Sequence, residues 1–142
     1  MIGETEWTIS GRYTGTTEVT LTEEGVKQVR GTAAALVGPR RLLDPSRVVR
    51  VWVSPRKRAR QTFELLFDGG AAVNADKVTV TEDIREWDYG DYEGLKVGEI
   101  KQLRKERGLD TDKPWDLWRD GCEGGEYVDS LFRTAKRVKG CC

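Results

Sequence analysis

Between Thr22 and Pro39 the apolar residues Val26, Val29, Ala33, Leu36 and Val37 recur in steps that lay them on one face of a helix. Thr22 opens that signal, Glu23 and Glu24 put negative charge in the first turn where the helix dipole favours it, and Gly38-Pro39 closes it. The period then changes. Arg47-Val-Val-Arg-Val-Trp-Val53 is β-branched and bounded by prolines, which predicts a strand. Ser54-Pro55 opens a second helix, with proline in its first turn, that runs from Arg56 to Phe67 and stops at Gly69-Gly70. Val78-Thr-Val80 predicts a second strand. A third helix spans Val97 to Arg107, with Ile100 and Leu103 inward and Gly108 past its end. Pro114 to Arg119 reads as a helical turn carrying Trp115 and Trp118, and Glu126 to Val138 as a last helix gathering Val128, Leu131, Phe132 and Ala135. Met1 to Leu21, rich in Gly and Thr, and the acidic, aromatic stretch Glu82 to Gly94 read as loops.

Alternating strands and helices imply an α/β layered fold with a mainly parallel sheet. Two strands are few for such a sheet, since three or more are usually needed for independent stability, so the pattern predicts strands missing at the ends. The 142 residues suit one domain, and no repeat or internal boundary interrupts them. With 24 basic and 24 acidic residues the formal charge is zero, which argues against a nucleic-acid binder working through bulk electrostatics. No apolar run approaches the length of a membrane span, and the N-terminus lacks signal-peptide character, so a cytoplasmic protein is expected.

Histidine is absent from the sequence. Imidazole general acid-base catalysis, Ser-His and Cys-His nucleophile pairs and imidazole metal ligation are thereby excluded for these residues. Cys122, Cys141 and Cys142 have neither zinc-site spacing nor the pattern of a disulfide framework, and no cofactor is expected. Three segments remain as candidate chemistry. Gly3-Glu-Thr-Glu-Trp7 with Gly11-Arg-Tyr-Thr-Gly15 offers amides and hydroxyls that can hold an anion, or is an ordinary turn-rich loop. Ser54-Pro-Arg-Lys-Arg-Ala-Arg-Gln-Thr62 places Arg58 near a helix N-terminus after a strand, where its planar fork suits phosphate; a solvated basic helix face fits equally. Ile84-Arg-Glu-Trp-Asp-Tyr-Gly-Asp-Tyr-Glu-Gly94 sets Glu86 beside Trp87, where packing would favour a proton donor, while acidic loops are more often simply exposed.

In this order, together with Leu21-Thr-Glu-Glu-Gly25 and Pro114-Trp-Asp-Leu-Trp-Arg-Asp-Gly-Cys-Glu-Gly-Gly-Glu126, the segments resemble the histidine phosphatase superfamily, in its phosphoglycerate-mutase-like branch. The resemblance implies a three-layer α/β/α fold and a reaction in which the His of an Arg-His-Gly motif attacks phosphorus. It makes Arg58 the second phosphate-holding arginine and Glu86 the proton donor. Gly3, Thr8, Arg12, Tyr13, Thr14, Gly15 and Tyr89 become the phosphate and substrate contacts. Where the family has Arg-His-Gly this chain has Met1-Ile2-Gly3, so Ile2 replaces the nucleophile. The first core strand and a late strand with its histidine have no counterpart in these residues.

The resemblance therefore implies a shortened, catalytically impaired family member. Two alternatives stay open: a non-catalytic protein that binds a phosphorylated metabolite, and a scaffold using Glu86 for acid-base chemistry on another small molecule. Open sheet edges and uncovered helix faces further predict a homo-oligomer.

Overall fold

The computed structural model describes residues 3–68, 73–110 and 112–125. The predicted helix from Glu126 to Val138, the stop at Gly69-Gly70, and Ile2 lie outside them. Chain contacts divide the protein into two compact units, one holding residues up to Glu6 and Glu18–Arg85, the other Trp7–Thr17 and the residues from Glu86 onward. Helix α1 (Glu6–Ser10) begins at that division, in a stretch whose Gly and Thr content reads as loop.

In the first unit, β1 (Val51–Val53) and β2 (Val78–Val80) form a two-stranded parallel sheet with Val51 opposite Val78 and Val53 opposite Val80. The α/β class is as expected, but β1 is shorter than the predicted run from Arg47. The partner explains this. Asn74 caps a 3-10 turn over Ala75–Lys77, so no extended backbone lies ahead of Val78, and the Val48 carbonyl accepts from Lys77 Nζ at 2.6 Å instead. Asp44 likewise caps a 3-10 turn over Pro45–Arg47 through the Ser46 amide.

Helix α2 (Glu23–Leu36) has Thr22 as its N-cap, the hydroxyl accepting from the Gly25 amide at 2.9 Å, and buries Val29. Gly25 is required by packing: a methyl there would overlap the Glu4 carbonyl oxygen. Helix α3 (Lys57–Phe67) packs along α2 and follows β1 through the Ser54-Pro55 turn. Its N-cap residue, Arg56, makes no capping bond with its own side chain. Glu18 serves instead: Oε2 accepts from the Lys57 amide at 2.6 Å while Oε1 pairs with Arg56 at 3.3 Å.

In the second unit, Tyr92, Ile100, Trp115 and Cys122 form the core, with Tyr13, Tyr89, Leu95, Leu103 and Leu117 packed around it. Helix α4 (Val97–Glu106) supplies Ile100, and α5 (Leu117–Asp120) is capped by Asp116. The two tryptophans of that stretch diverge. Trp115 is buried and donates to the Gly121 carbonyl at 3.0 Å, whereas Trp118 is 67% exposed. Arg104 of α4 is buried beside this core and satisfies several acceptors at once: Asp110 at 2.8 Å, Glu123 at 2.6 Å and the Tyr92 hydroxyl at 2.6 Å, with Trp115 and Tyr92 rings flanking it.

Removing the Arg104 guanidinium leaves two carboxylates and a buried hydroxyl without their shared partner. Arg104→Ala is expected to cost about 3 kcal/mol in urea unfolding followed by tryptophan emission; a loss below about 1 kcal/mol would mean the pair behaves as an exposed one. The Glu18 carboxyl lies below its ordinary value of 4.5, chiefly because of the Lys57 amide and then the Arg56 and Arg58 charges, with desolvation opposing. A carboxyl depressed by folding stabilises the protein above its unfolded value and loses that contribution as pH falls through the folded one. Wild type should therefore exceed Glu18→Gln in thermal midpoint at pH 7, and the gap should close toward pH 3. A gap unchanged over that range would show that the charge on Glu18 is not what holds α3.

Candidate functional site

The four cations in Arg56-Lys-Arg-Ala-Arg60 take three kinds of environment. Lys57 and Arg60 are exposed, as a basic helix face requires. Arg56 is paired with Glu18 and with Glu82, the latter at 3.2 Å. Arg58 is 4% exposed, on the buried side of the first turn of α3. A guanidinium stays charged when buried, so its placement there fixes a positive charge where β1 runs into a helix N-terminus.

The residues around Arg58 form a chain of bonds that ties it to the start of the described sequence. Its carbonyl accepts from Thr62 Oγ1 at 2.8 Å, and Thr62 Oγ1 accepts from the Gly3 amide at 3.1 Å. Gly3 is buried, and a side chain there would collide with Val29. Gln61 Oε1 accepts from the Leu21 amide at 3.0 Å, and Thr22 joins Glu4 through both its backbone and its hydroxyl. Gly3 and Arg58 are thus brought together through Thr62. Sequence reading missed Thr62 and Gln61 as positioning groups. Their signal was present, one helical turn beyond Arg58 and inside the same motif.

The second unit carries the other candidates. Residues 12–13 pair with the loop ahead of α4, through an Arg12–Lys96 bridge, a Tyr13 amide donating to Leu95 at 3.0 Å and a Gly94 amide donating to Tyr13 at 2.9 Å. The Arg12 guanidinium donates to the Gly94 carbonyl at 2.6 Å and pairs with Glu99 at 3.2 Å. Thr14 Oγ1 donates to the Arg12 carbonyl at 3.1 Å. Thr8 stands exposed on α1. The expected anion-holding amides do hold an anion, and it belongs to the protein. Gly15 N–H donates to both Glu93 oxygens, at 3.0 and 2.9 Å, and Thr17 N–H donates to Oε1 at 2.9 Å. Glu93 escaped notice because it is one acid among several between Asp88 and Gly94.

Glu86 is exposed rather than enclosed by Trp87, and its Oε1 accepts from the Trp87 amide at 2.9 Å. Trp87 itself is buried. The Trp87 ring faces Tyr89, stacked at 6.2 Å, and Trp118. Tyr89 also meets Tyr13 at 4.8 Å, and burial, then the Glu86 charge, pushes its hydroxyl well above the usual range. Arg58 and Glu86 fall in different units, and Ile2 lies outside the described residues.

Cys122 is fully buried, and burial followed by the nearby Asp88 charge raises its thiol to about 11 against the opposing effect of Arg104. Thiolate at pH 7 is then only about one part in 10⁴, which suits a packing residue and not a nucleophile. Among the described residues no group of three or more Cys, Asp or Glu converges as a metal site, and no helix is long and apolar enough to cross a membrane.

A strand, a turn and a helix with Arg58 in its first turn follow one another as the sequence predicts, while the burial of Arg58 and the Gly3–Thr62 link are findings of the structure. Comparison with known proteins identifies the family. The family model described as histidine phosphatase superfamily (branch 1) matches residues 3–141. Sedoheptulose 1,7-bisphosphatase of Saccharomyces cerevisiae is 46% identical over 138 residues, which cover 96% of this chain and 51% of the relative. An acid phosphatase of Mycobacterium tuberculosis is 40% identical over 126 residues, covering 89% and 52%. Among solved structures, an open reading frame product of Mycobacterium tuberculosis superposes with a TM-score of 0.69 at 35% identity, covering 96% of this chain and 61% of that one. The alpha-ribazole phosphatase of Shigella flexneri reaches 0.73 at 21% identity, over 97% and 62%, a likeness of fold alone. The chain spans about half the length of these curated relatives. With its motifs, its fold and a family match over nearly all its residues in agreement, the chain belongs to branch 1 of the histidine phosphatase superfamily.

Proposed function

We propose that these 142 residues bind a phosphorylated small molecule through Arg58 without turning it over by way of a phosphohistidine. The observation that carries this reading is the absence of any histidine from the sequence. Phosphoryl transfer through a covalent enzyme intermediate needs a side-chain lone pair at phosphorus. The resemblance assigns that position to Ile2, whose side chain has none. Loss of a covalent nucleophile typically lowers turnover by about 10⁴–10⁶. Glu86 remains as an acid, but protonating a leaving oxygen accelerates little when nothing attacks phosphorus.

Binding needs less than catalysis. A buried arginine in the first turn of α3 provides a fixed positive charge, and a guanidinium's planar fork suits phosphate. The yeast relative's name points to a sugar bisphosphate, which we adopt as the ligand class to test. With one arginine carrying most of the attraction, affinity should be weak, on the order of 1 mM.

Calorimetry with sedoheptulose 1,7-bisphosphate should show weak binding by the wild type that falls about tenfold or more in Arg58→Ala, because hydrogen bonds to charged groups contribute about 1.5–3 kcal/mol. Arg58→Lys, which keeps the charge and loses the fork, should recover only part of it. The same samples should release no phosphate above background. Equal affinity in all three proteins removes the binding reading, and sustained phosphate release by the wild type removes the claim of lost turnover.

A further inference from the structure

The start of α3 already accepts an anion, and that anion belongs to the protein. We infer that the Glu18 carboxylate is an internal competitor at the Arg58 site, setting how weakly that site holds a phosphorylated ligand. The inference deepens the binding reading above and rests on it.

Every group concerned lies within the first unit. Glu18 Oε2 accepts from the Lys57 amide at 2.6 Å, and Oε1 accepts from Arg56 Nη1 at 3.3 Å. The Lys57 amide is one of the first-turn donors that a helix leaves without an internal acceptor, and it precedes Arg58 by one residue. The field of Arg58 reaches Glu18 as well. The carboxyl lies below its ordinary value of 4.5 first through the Lys57 amide, then through Arg56 and last through the Arg58 charge, with desolvation opposing. Glu18 is therefore ionised at neutral pH. Arg56 shows that acceptors are short at this helix start: its Nη2 donates to Glu82 at 3.2 Å, yet its Nε is buried and donates to no acceptor among the described residues. A buried donor left unmatched costs free energy that an oxygen of an arriving anion would recover.

Folding and binding make opposite demands on Glu18. As a cap it stabilises α3. Toward a phosphate monoester carrying about −1.5 to −2 charge, a carboxylate within the field of Arg58 is a rival. The Glu18 side chain is half-exposed, so two routes are open to the ligand. It displaces the carboxylate, which gives up the Lys57 and Arg56 bonds, or it binds beside the carboxylate and meets its charge. Either route lowers affinity. Glutamine at this position reduces both costs, while its amide oxygen can still accept from Lys57. A residue that only held α3 in place would have the reverse effect, since a weaker cap would loosen Arg58 and weaken binding.

Calorimetry on the full chain with sedoheptulose 1,7-bisphosphate, at pH 7 and well below either thermal midpoint, separates the two. Glu18→Gln should bind about threefold to tenfold more tightly than wild type, the effect of one partly screened charge, although its thermal midpoint is lower. Combining Glu18→Gln with Arg58→Ala should abolish the gain, because it is exerted through Arg58. In chains labelled with nitrogen-15, the ligand should move the Lys57 amide resonance further in Glu18→Gln than in wild type. Glu18→Gln binding no more tightly than wild type, while Arg58→Ala still binds more weakly, overturns the competition and leaves the binding reading standing. An equal gain in the absence of Arg58 overturns the claim that Glu18 acts through that site. If Arg58→Ala changes affinity in neither the wild-type nor the Glu18→Gln background, the binding reading itself fails and the competition falls with it.

Discussion

Carboxylates that accept from backbone N–H groups brace the irregular segments inside each of the two units separately. Glu18 caps α3 at Lys57 in the first unit, and Glu93 gathers Gly15 and Thr17 in the second. The chain needs such devices because 34% of its residues are charged and only 37% are apolar, which leaves little to pack beneath long irregular segments. A loop cannot bury an unpaired amide cheaply, so each orphan donor must find an acceptor, and an ionised carboxylate is the strongest one available. Gly3 to Thr5 shows the same logic with neutral groups: Thr62 Oγ1 accepts from the Gly3 amide, and the Thr22 amide donates to the Glu4 carbonyl.

Much of this order was legible in the sequence, and the exceptions have physical causes. The helix from Thr22 was plain because five apolar residues share a face and both ends carry stop and start signals; the observed α2 lies within one or two residues of it. β2 and α4 were legible for the same reason. β1 was overextended because Arg47 to Val53 has strand propensity throughout, whereas a strand exists only where a partner backbone is extended, and Asn74 and Asp44 cap 3-10 turns that end the pairing. α1 was missed because a helix of one turn in a Gly and Thr context has no periodicity to read. The chemistry divides likewise. Arg58 stood out by its place after a strand, but one turn of a basic helix looks the same whether a given cation faces water or the interior. Packing alone distinguishes Arg58, at 4% exposed, from its neighbours Lys57 and Arg60.

Glu93 illustrates a limit of composition that burial overcomes. In the sequence it is one of several acids in a loop that invites an exposed reading, and Glu86 is in fact exposed. Yet the Gly15 and Thr17 amides need an acceptor, and Glu93 supplies it. A Gly and Thr rich loop facing an acidic loop is therefore ambiguous: it is a seat for an external phosphate or the complement of an internal carboxylate. The hydrogen bonds choose the second for Gly15 and Thr17.

That choice bears on how a family scaffold behaves without its imidazoles. Removing a nucleophile deletes the covalent step but leaves the forces that assemble the surrounding loops, because those forces are satisfied within the protein. Gly15 N–H is held by Glu93, and Thr62 holds Gly3 and Arg58 in one chain of bonds without any imidazole. A buried arginine cannot shed its proton, so as long as α2, α3 and the Gly3 to Thr5 segment pack, a fixed positive charge persists at the helix N-terminus. On the proposed reading, affinity for phosphate would outlast turnover and be lost by changes that reach Arg58 or the bonds that seat it.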